Sequence, residues 1–287
     1  MEMTEPQITL APNDESDFGR LLLSHRNVTL YEDPFFHGYI DNYLSEPFYC
    51  ALLPGFPKNT LRINYESKAT LDSTAPALGG FWRRSPLSKN LLSFFASTLF
   101  LQDLQEIIGS AIARHRGHYD HADWYCMNDW VAAARSREGK PVRVTFKFSR
   151  LSSGGWIPPH TDNPCKLLSF ILYFAESDWP ESYGGGTEIY EPRAALLRHN
   201  WRNVEMPFEA MKHRRIFAFV PNRLVFFLKS KNSWHGVSPI SCPDGRSRKS
   251  LLMTLHDRPY QPENEIHTAA RSLIRAWMRV KGYPQHP

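Results

Sequence analysis

The stretch that decides the fold is Val142–Ser149, "VRVTFKFS". Val142, Val144, Phe146 and Phe148 fall on one side of an extended chain, and Arg143, Thr145, Lys147 and Ser149 on the other. A period of two is the signature of a strand with one apolar face. Downstream, "LLSFILYFA" (Leu167–Ala175) is a nearly continuous apolar run, as a buried central strand requires. "GGGTEIYEP", "RIFAFVP", "RLVFFLKS" and "RKSLLMTLHD" follow, each short and bounded by Gly, Pro, Asn or Asp. Several short strands with turn signals and no long helix between them predict a β-sandwich or barrel.

Outward from this region the pattern changes. Asn90–His115 repeats apolar residues at helical spacing, with Ser88 or Asn90 as its cap and Gly117 as its stop. "PFFHGYIDNYLSEPFYCALLPGFP" reads as a short strand, a helix and a Pro/Gly stop. "ENEIHTAARSLIRAWMRVKGYP" reads as an amphipathic C-terminal helix. The organisation expected is a mixed helical region over 1–140 that packs on the core and supplies a substrate lid, a β core over 141–260, and a helix over 261–287, all in one compact domain.

The chain has 287 residues, 42% hydrophobic and 22% charged, the composition of an ordinary globular protein. Its net charge of +5 favours an anionic small molecule, a nucleic acid or an acidic surface as partner. The basic residues lie in short groups (Arg83–Arg84, Lys212–Arg215, Arg246–Lys249) rather than one tail, so nucleic acid is not the default. Cys50, Cys126, Cys165 and Cys242 form no CxxC pair, which argues against a zinc ribbon or disulfide scaffold and for reduced thiols in the cytoplasm. The polar, acidic start does not read as a secretory signal. No apolar run reaches the ~18 residues of a membrane span.

His-x-Asp occurs three times, at His118–Asp120, His121–Asp123 and His160–Asp162. The first two follow the long helix, where His115, His118 and His121 are read as a polar helix terminus. The third lies between two strands, in "GGWIPPHTDNP" (Gly154–Pro164). In extended chain, residues i and i+2 project to one side, so His160 and Asp162 can grip one ion. His235, in "KNSWHGVSP", is 73 residues beyond Asp162 and supplies a third ligand. Two histidines and one carboxylate with open positions suit non-haem iron(II), although zinc fits the same donors. Arg248 follows His235 by 13 residues and shares a strand face with Ser250, Leu252 and Thr254. A guanidinium with a hydroxyl two residues on is a receptor for a carboxylate. Arg246 lies on the same face and is the alternative anchor.

In "SRLSSGGWIPPHTDNP", "LSFILYFAESDW", "GGGTEIYEP", "WHGVSP" and "RKSLLMTLH" the chain resembles the iron(II)/2-oxoglutarate-dependent dioxygenases, in their prolyl-4-hydroxylase-like branch. The resemblance spans Val142–His256. It implies a mainly β fold with flanking helices, the double-stranded β-helix (jelly roll, cupin-like). It also implies Fe(II) on His160, Asp162 and His235, and 2-oxoglutarate on Arg248, assisted by Tyr173 and Ser250. The implied reaction hydroxylates an unactivated C–H bond with O2, releasing succinate and CO2. The substrate expected is a small or medium polar molecule: an amino acid, peptide, sugar or natural product. The alternatives are a dioxygenase that dealkylates nucleic acid and a non-catalytic metal-binding cupin-like module. Trp82, Arg83, Arg84 and Trp156 are candidate substrate contacts, each more simply read as core packing or a solvated charge. Gly184–Gly186 have no lysine after them, so they read as a tight turn and not a phosphate loop.

Overall fold

The structure is a computed structural model. It describes residues 20–57, 62–65, 67–116, 124–127, 139–195, 198–200 and 203–259, with helical residues at 272, 273, 276 and 280. His118, Asp120, His121, Asp123, Gly117 and most of the C-terminal helix lie outside the described residues.

In chain order the elements are β1 (Thr29–Tyr31), β2 (His37–Ile40), α1 (Glu46–Leu52), β3 (Arg62–Tyr65), β4 (Lys68–Asp72), α2 (Leu78–Arg84), α3 (Pro86–Phe95), α4 (Thr98–Arg116) and β5 (Trp124–Cys126). The β core follows: β6 (Lys140–Leu151), β7 (Ile157–His160), β8 (Lys166–Tyr173), β9 (Thr187–Pro192), β10 (Met211–Phe217), β11 (Leu224–Leu228), β12 (His235–Val237) and β13 (Arg248–His256). One sheet runs β1-β2-β11-β8-β13-β6-β4-β3, with β5 parallel to β6, and a second runs β10-β9-β12-β7. From β6 to β13 the strands alternate between the two sheets, except that β9 and β10 are antiparallel neighbours within the smaller one, and every pair among them is antiparallel. That alternation is the double-stranded β-helix, or jelly roll.

Each strand of the larger sheet has two faces with different tasks. Val142 and Phe148 of β6, Leu168, Phe170 and Leu172 of β8, Leu224, Phe226 and Leu228 of β11, and Leu251, Met253 and Leu255 of β13 join one core with the helices. The helices contribute Leu91, Leu92 and Phe95 from α3 and Phe100, Leu101, Leu104 and Ile108 from α4. Phe100 stands edge-on to Phe95 and Phe170, with ring centroids 4.8 Å and 5.8 Å away. A fully buried Leu or Phe contributes about 1.5–3 kcal/mol, so this face supplies most of the drive for helix-on-sheet packing. The opposite face of the same strands turns inward, towards the second sheet, and there Thr145, Lys147, Ser149, Ser250 and Thr254 are polar. The alternation in Val142–Ser149 thus separates core from interior cavity, not core from solvent.

The helical segment departs from its expected form. It is two helices bent by 48° at Ala96–Ser97, and the first begins at Pro86. Ser88 and Asn90 are therefore inside α3, where Pro86 at the first turn tolerates its missing N–H. Ser97 starts α4, its Oγ accepting the Phe100 N–H at 3.3 Å. Among the described residues no single helix is long and apolar enough to cross a membrane.

Candidate metal and cosubstrate site

β7 ends at His160 and β12 begins at His235, and the register places these two residues directly opposite each other. Each imidazole is fixed by its own backbone neighbourhood. His160 Nδ1 lies 2.8 Å from the Pro158 carbonyl and His235 Nδ1 lies 2.8 Å from the Ser233 carbonyl. A carbonyl only accepts, so both Nδ1 atoms carry the proton and both Nε2 lone pairs are free. Those Nε2 atoms face Asp162, at 3.5 Å from Oδ1 for His160 and 3.7 Å from Oδ2 for His235. Burial, then the charge of His160, lowers the pKa of His235 from 6.5 to about 3, which keeps the ring neutral.

Asp162 reaches the histidines by a route the strand argument did not supply. Its φ is +68°, a left-handed conformation, so His160 and Asp162 do not sit as i and i+2 of one extended strand. Asp and Asn tolerate this region better than other non-glycine residues. Its carboxylate is buried. Burial alone would raise its pKa, but Lys166 and the two histidines hold it well below the carboxylate range. Lys166 Nζ is 2.5 Å from Oδ1, and Ser169 Oγ donates to Oδ2 at 3.2 Å.

One donor atom from each of His160, Asp162 and His235 can be chosen so that all three lie within 4.8 Å of one another; among the described residues no other group of His, Cys, Asp and Glu does so. Two neutral imidazole nitrogens and an ionised carboxylate fit a divalent first-row metal, and the backbone-held Nδ1–H groups are the supports such ligands need. His115, at the end of the long helix, is engaged elsewhere: its Nε2 lies 2.9 Å from Glu32 Oε2.

The same cavity, of about 180 Å³, contains Arg248. Only 2% exposed, its guanidinium donates from Nε to the Gly185 carbonyl at 2.5 Å and from Nη1 to Ser250 Oγ at 3.0 Å. No acidic side chain among the described residues pairs with it, and burial lowers its pKa from the ordinary arginine value. Tyr173 lies beneath the guanidinium, 5.3 Å from ring centroid to Cζ. Its hydroxyl donates to Thr187 Oγ1 at 2.6 Å and accepts the Thr187 N–H at 2.9 Å. Gly184 and Gly185, at φ +71° and +91°, make the tight turn that presents the Gly185 carbonyl to Arg248. Arg246 points the other way: it pairs at the surface with Glu176 at 2.8 Å and Asp178 at 2.7 Å. The cavity therefore receives Arg248 and not Arg246.

Of the candidate substrate contacts, Trp82 packs against the helical core, Arg83 and Arg84 are exposed in the last turn of α2, and Trp156 is 36% exposed. Three residues not singled out from the sequence also line the cavity: Lys68, Lys147 and Lys166. The polar face of "VRVTFKFS" and the spacing Asp162-x-x-x-Lys166 were the available signals.

Residues 146–256 match the family model described as the 2OG-Fe(II) oxygenase superfamily. A comparison with curated proteins found no match. Among solved structures the chain is similar to a prolyl 4-hydroxylase from Phytophthora capsici, at 18% identity over 85% of this chain and 68% of that one, TM-score 0.47. It is also similar to a Pseudomonas putida prolyl-4-hydroxylase, at 14% identity over 84% and 97%, TM-score 0.38. HygX from Streptomyces hygroscopicus, solved with nickel and 2-oxoglutarate bound, is similar at 8% identity over 79% and 85%, TM-score 0.44. The matched segment holds His160, Asp162, His235 and Arg248 within a jelly roll, and over that segment the chain is similar to the 2OG-Fe(II) oxygenase superfamily.

Proposed function

We propose that the protein is a hydroxylase, acting on an unactivated C–H bond of a small or medium polar substrate such as an amino acid, peptide, sugar or natural product. The observation that carries this reading is one cavity with a His–Asp–His cluster and a buried guanidinium that lacks an acidic partner among the described residues. A buried charge of that kind is costly unless an anion meets it. In this reading His160, Asp162 and His235 hold iron(II), and Arg248 receives the distal carboxylate of 2-oxoglutarate, with Ser250 and Tyr173 beside it. With the metal and cosubstrate bound, oxidative decarboxylation to succinate and CO2 supplies the oxidising power for C–H hydroxylation.

The chain's own residues have defined tasks. The Pro158 and Ser233 carbonyls hold both imidazoles in the tautomer that presents Nε2. Ser250 keeps the Arg248 fork in the plane in which it can donate two parallel hydrogen bonds. Ile171, Phe227 and Val237 give the cavity apolar walls, which limit water at the reacting centre. The region before residue 140 supplies one wall of the substrate groove through β4, which pairs with β6.

The test is an anaerobic titration of the apo-protein with iron(II) and then 2-oxoglutarate, read by visible absorbance. A weak charge-transfer band is expected, and it disappears in His160→Ala or His235→Ala. Metal binding with no such band would move the protein to a metal-binding recognition module.

A further inference from the structure

The cavity that holds the His–Asp–His cluster continues into a second, of about 290 Å³, and Lys147, Lys166 and Leu252 line both. Together they form a groove along the inward face of β4, β6, β13 and β8. The strand register fixes where its cations stand. Lys68 on β4 and Arg248 on β13 both pair with Leu151 on β6, so they flank it in one row. Lys147 stands four residues along β6, between Asp72 and Leu252, and Lys166 pairs with His256 farther along β13. Lys68, Lys147, Lys166 and Arg248 all line the inner cavity. Arg143 and Arg258 line its outer part.

Acidic groups do not balance them. Asp162 is taken by Lys166 and the two histidines, and Arg258 pairs with Asp257. Asp72 accepts from the Thr74 N–H and hydroxyl; Asp72 and Asp162 act on Lys147, and Glu205 acts on Lys68. Neither lysine makes a salt bridge with a described residue. Arg248 is assigned to the cosubstrate, which leaves Lys68 and Lys147 with no task in the proposed chemistry.

We infer that the substrate carries an anionic oxyacid group, a carboxylate or a phosphoryl, and that Lys68 and Lys147 hold it in this groove. The inference rests on the oxygenase reading and adds the substrate class to it. Lys68 and Lys147 line one cavity, where their like charges favour an anion between them. In keeping with this, burial lowers the pKa of both lysines from the ordinary value, followed by the charge of Lys147 for Lys68 and of Lys166 for Lys147. The apolar residues Ile157, Ile171 and Leu252, which line the inner cavity, are suited to the remainder of the molecule.

The experiment uses Ni(II) in place of the redox-active ion, excess 2-oxoglutarate and constant ionic strength. Inorganic phosphate and propionate are titrated separately into this complex by calorimetry, with wild type, Lys68→Met/Lys147→Met and Lys147→Arg compared. Saturable binding of one anion is expected, weakened at least tenfold in the double methionine variant and kept within threefold in Lys147→Arg. Preference for phosphate identifies a phosphoryl group, and preference for propionate a carboxylate. Absence of binding to the wild-type complex, or equal binding to the double variant, overturns the inference while leaving the oxygenase reading intact. Failure of the wild type to form the Ni(II)–2-oxoglutarate complex at all overturns the oxygenase reading and the inference with it. Circular dichroism and the Ni(II)–2-oxoglutarate absorbance check that each variant is folded.

Discussion

His160 and His235 stand directly opposite one another across the β7–β12 pair, with ring centroids 4.3 Å apart. Backbone pairing alone therefore sets the distance between two donors that are far apart in sequence. Cross-strand neighbours of this kind hold their Cβ atoms ~5 Å apart with little freedom.

That dependence makes Gly236 a sensitive position. A Cβ there would lie 2.7 Å from the Ile157 carbonyl oxygen and 3.2 Å from the Pro159 nitrogen, both backbone atoms of β7. Backbone cannot yield as a side-chain tip can, so Gly236→Ala must push β12 away from β7. The expected result is a loss of metal affinity of at least tenfold, with a stability loss of about 1–3 kcal/mol. A Co(II) titration and a urea unfolding curve check the two halves.

Asp162 has two separable duties, ligand charge and a left-handed backbone. Asp162→Asn tolerates φ +68° and keeps one oxygen, but it removes the charge facing both histidines and Lys166. Metal affinity is expected to fall by about a hundredfold while the fold is retained. Asp162→Val removes the charge and also forces a β-branched residue into the left-handed region, at a further cost of about 1–2 kcal/mol. A larger drop in thermal midpoint for Val than for Asn checks the backbone duty; equal midpoints would show that the backbone there relaxes freely.

The two arginines near the start of β13 are expected to differ sharply. Arg248→Met removes the cavity's buried guanidinium, and 2-oxoglutarate binding is expected to weaken by 30-fold or more, in line with the cost of about 2–5 kcal/mol for truncating one partner of a buried charge pair. Arg246→Met removes a surface pairing with Glu176 and Asp178, worth ~1 kcal/mol at most, and 2-oxoglutarate affinity is expected to stay within twofold. The charge-transfer band followed as a function of 2-oxoglutarate concentration reads both.

Much of this was legible in the chain, because period-two alternation and turn residues are local signals. Val142–Ser149 announced both its faces, and "PPHTDNP", "WHGVSP" and "RKSLLMTLH" carried the residues that meet in the cavity. What was not legible depends on three dimensions. Nothing local distinguishes Arg246 from Arg248, which lie on the same face by spacing; the surface acids Glu176 and Asp178, some 70 residues upstream, draw one of them out. The lysine groove was hidden for the same reason: Lys68, Lys147 and Lys166 sit on three strands that only the sheet order brings together. The break at Ala96–Ser97 was missed because apolar spacing continues across it, and only the Ser97 cap marks it.

The buried histidine outside the site gives the acid limb of stability a specific origin. His37 is fully buried, its Nδ1–H donating to the Phe35 carbonyl at 2.6 Å and its ring packed against Tyr31 at a centroid distance of 5.3 Å. Burial lowers its pKa from 6.5 to about 4, against the opposing hydrogen bond to Phe35. The folded protein therefore binds this proton less readily than the unfolded chain. Its contribution is complete above about pH 6.5 and is lost as pH falls towards 4. Between pH 8 and pH 5 the loss is on the order of 2 kcal/mol. His37→Phe fills the same aromatic site without a proton to bind. At pH 8 it is expected to be less stable by about 1 kcal/mol, the worth of the lost hydrogen bond. At pH 5 the order reverses, with the variant more stable than wild type by about 1 kcal/mol. Urea unfolding of both proteins at the two pH values decides it; parallel losses would place the acid sensitivity elsewhere.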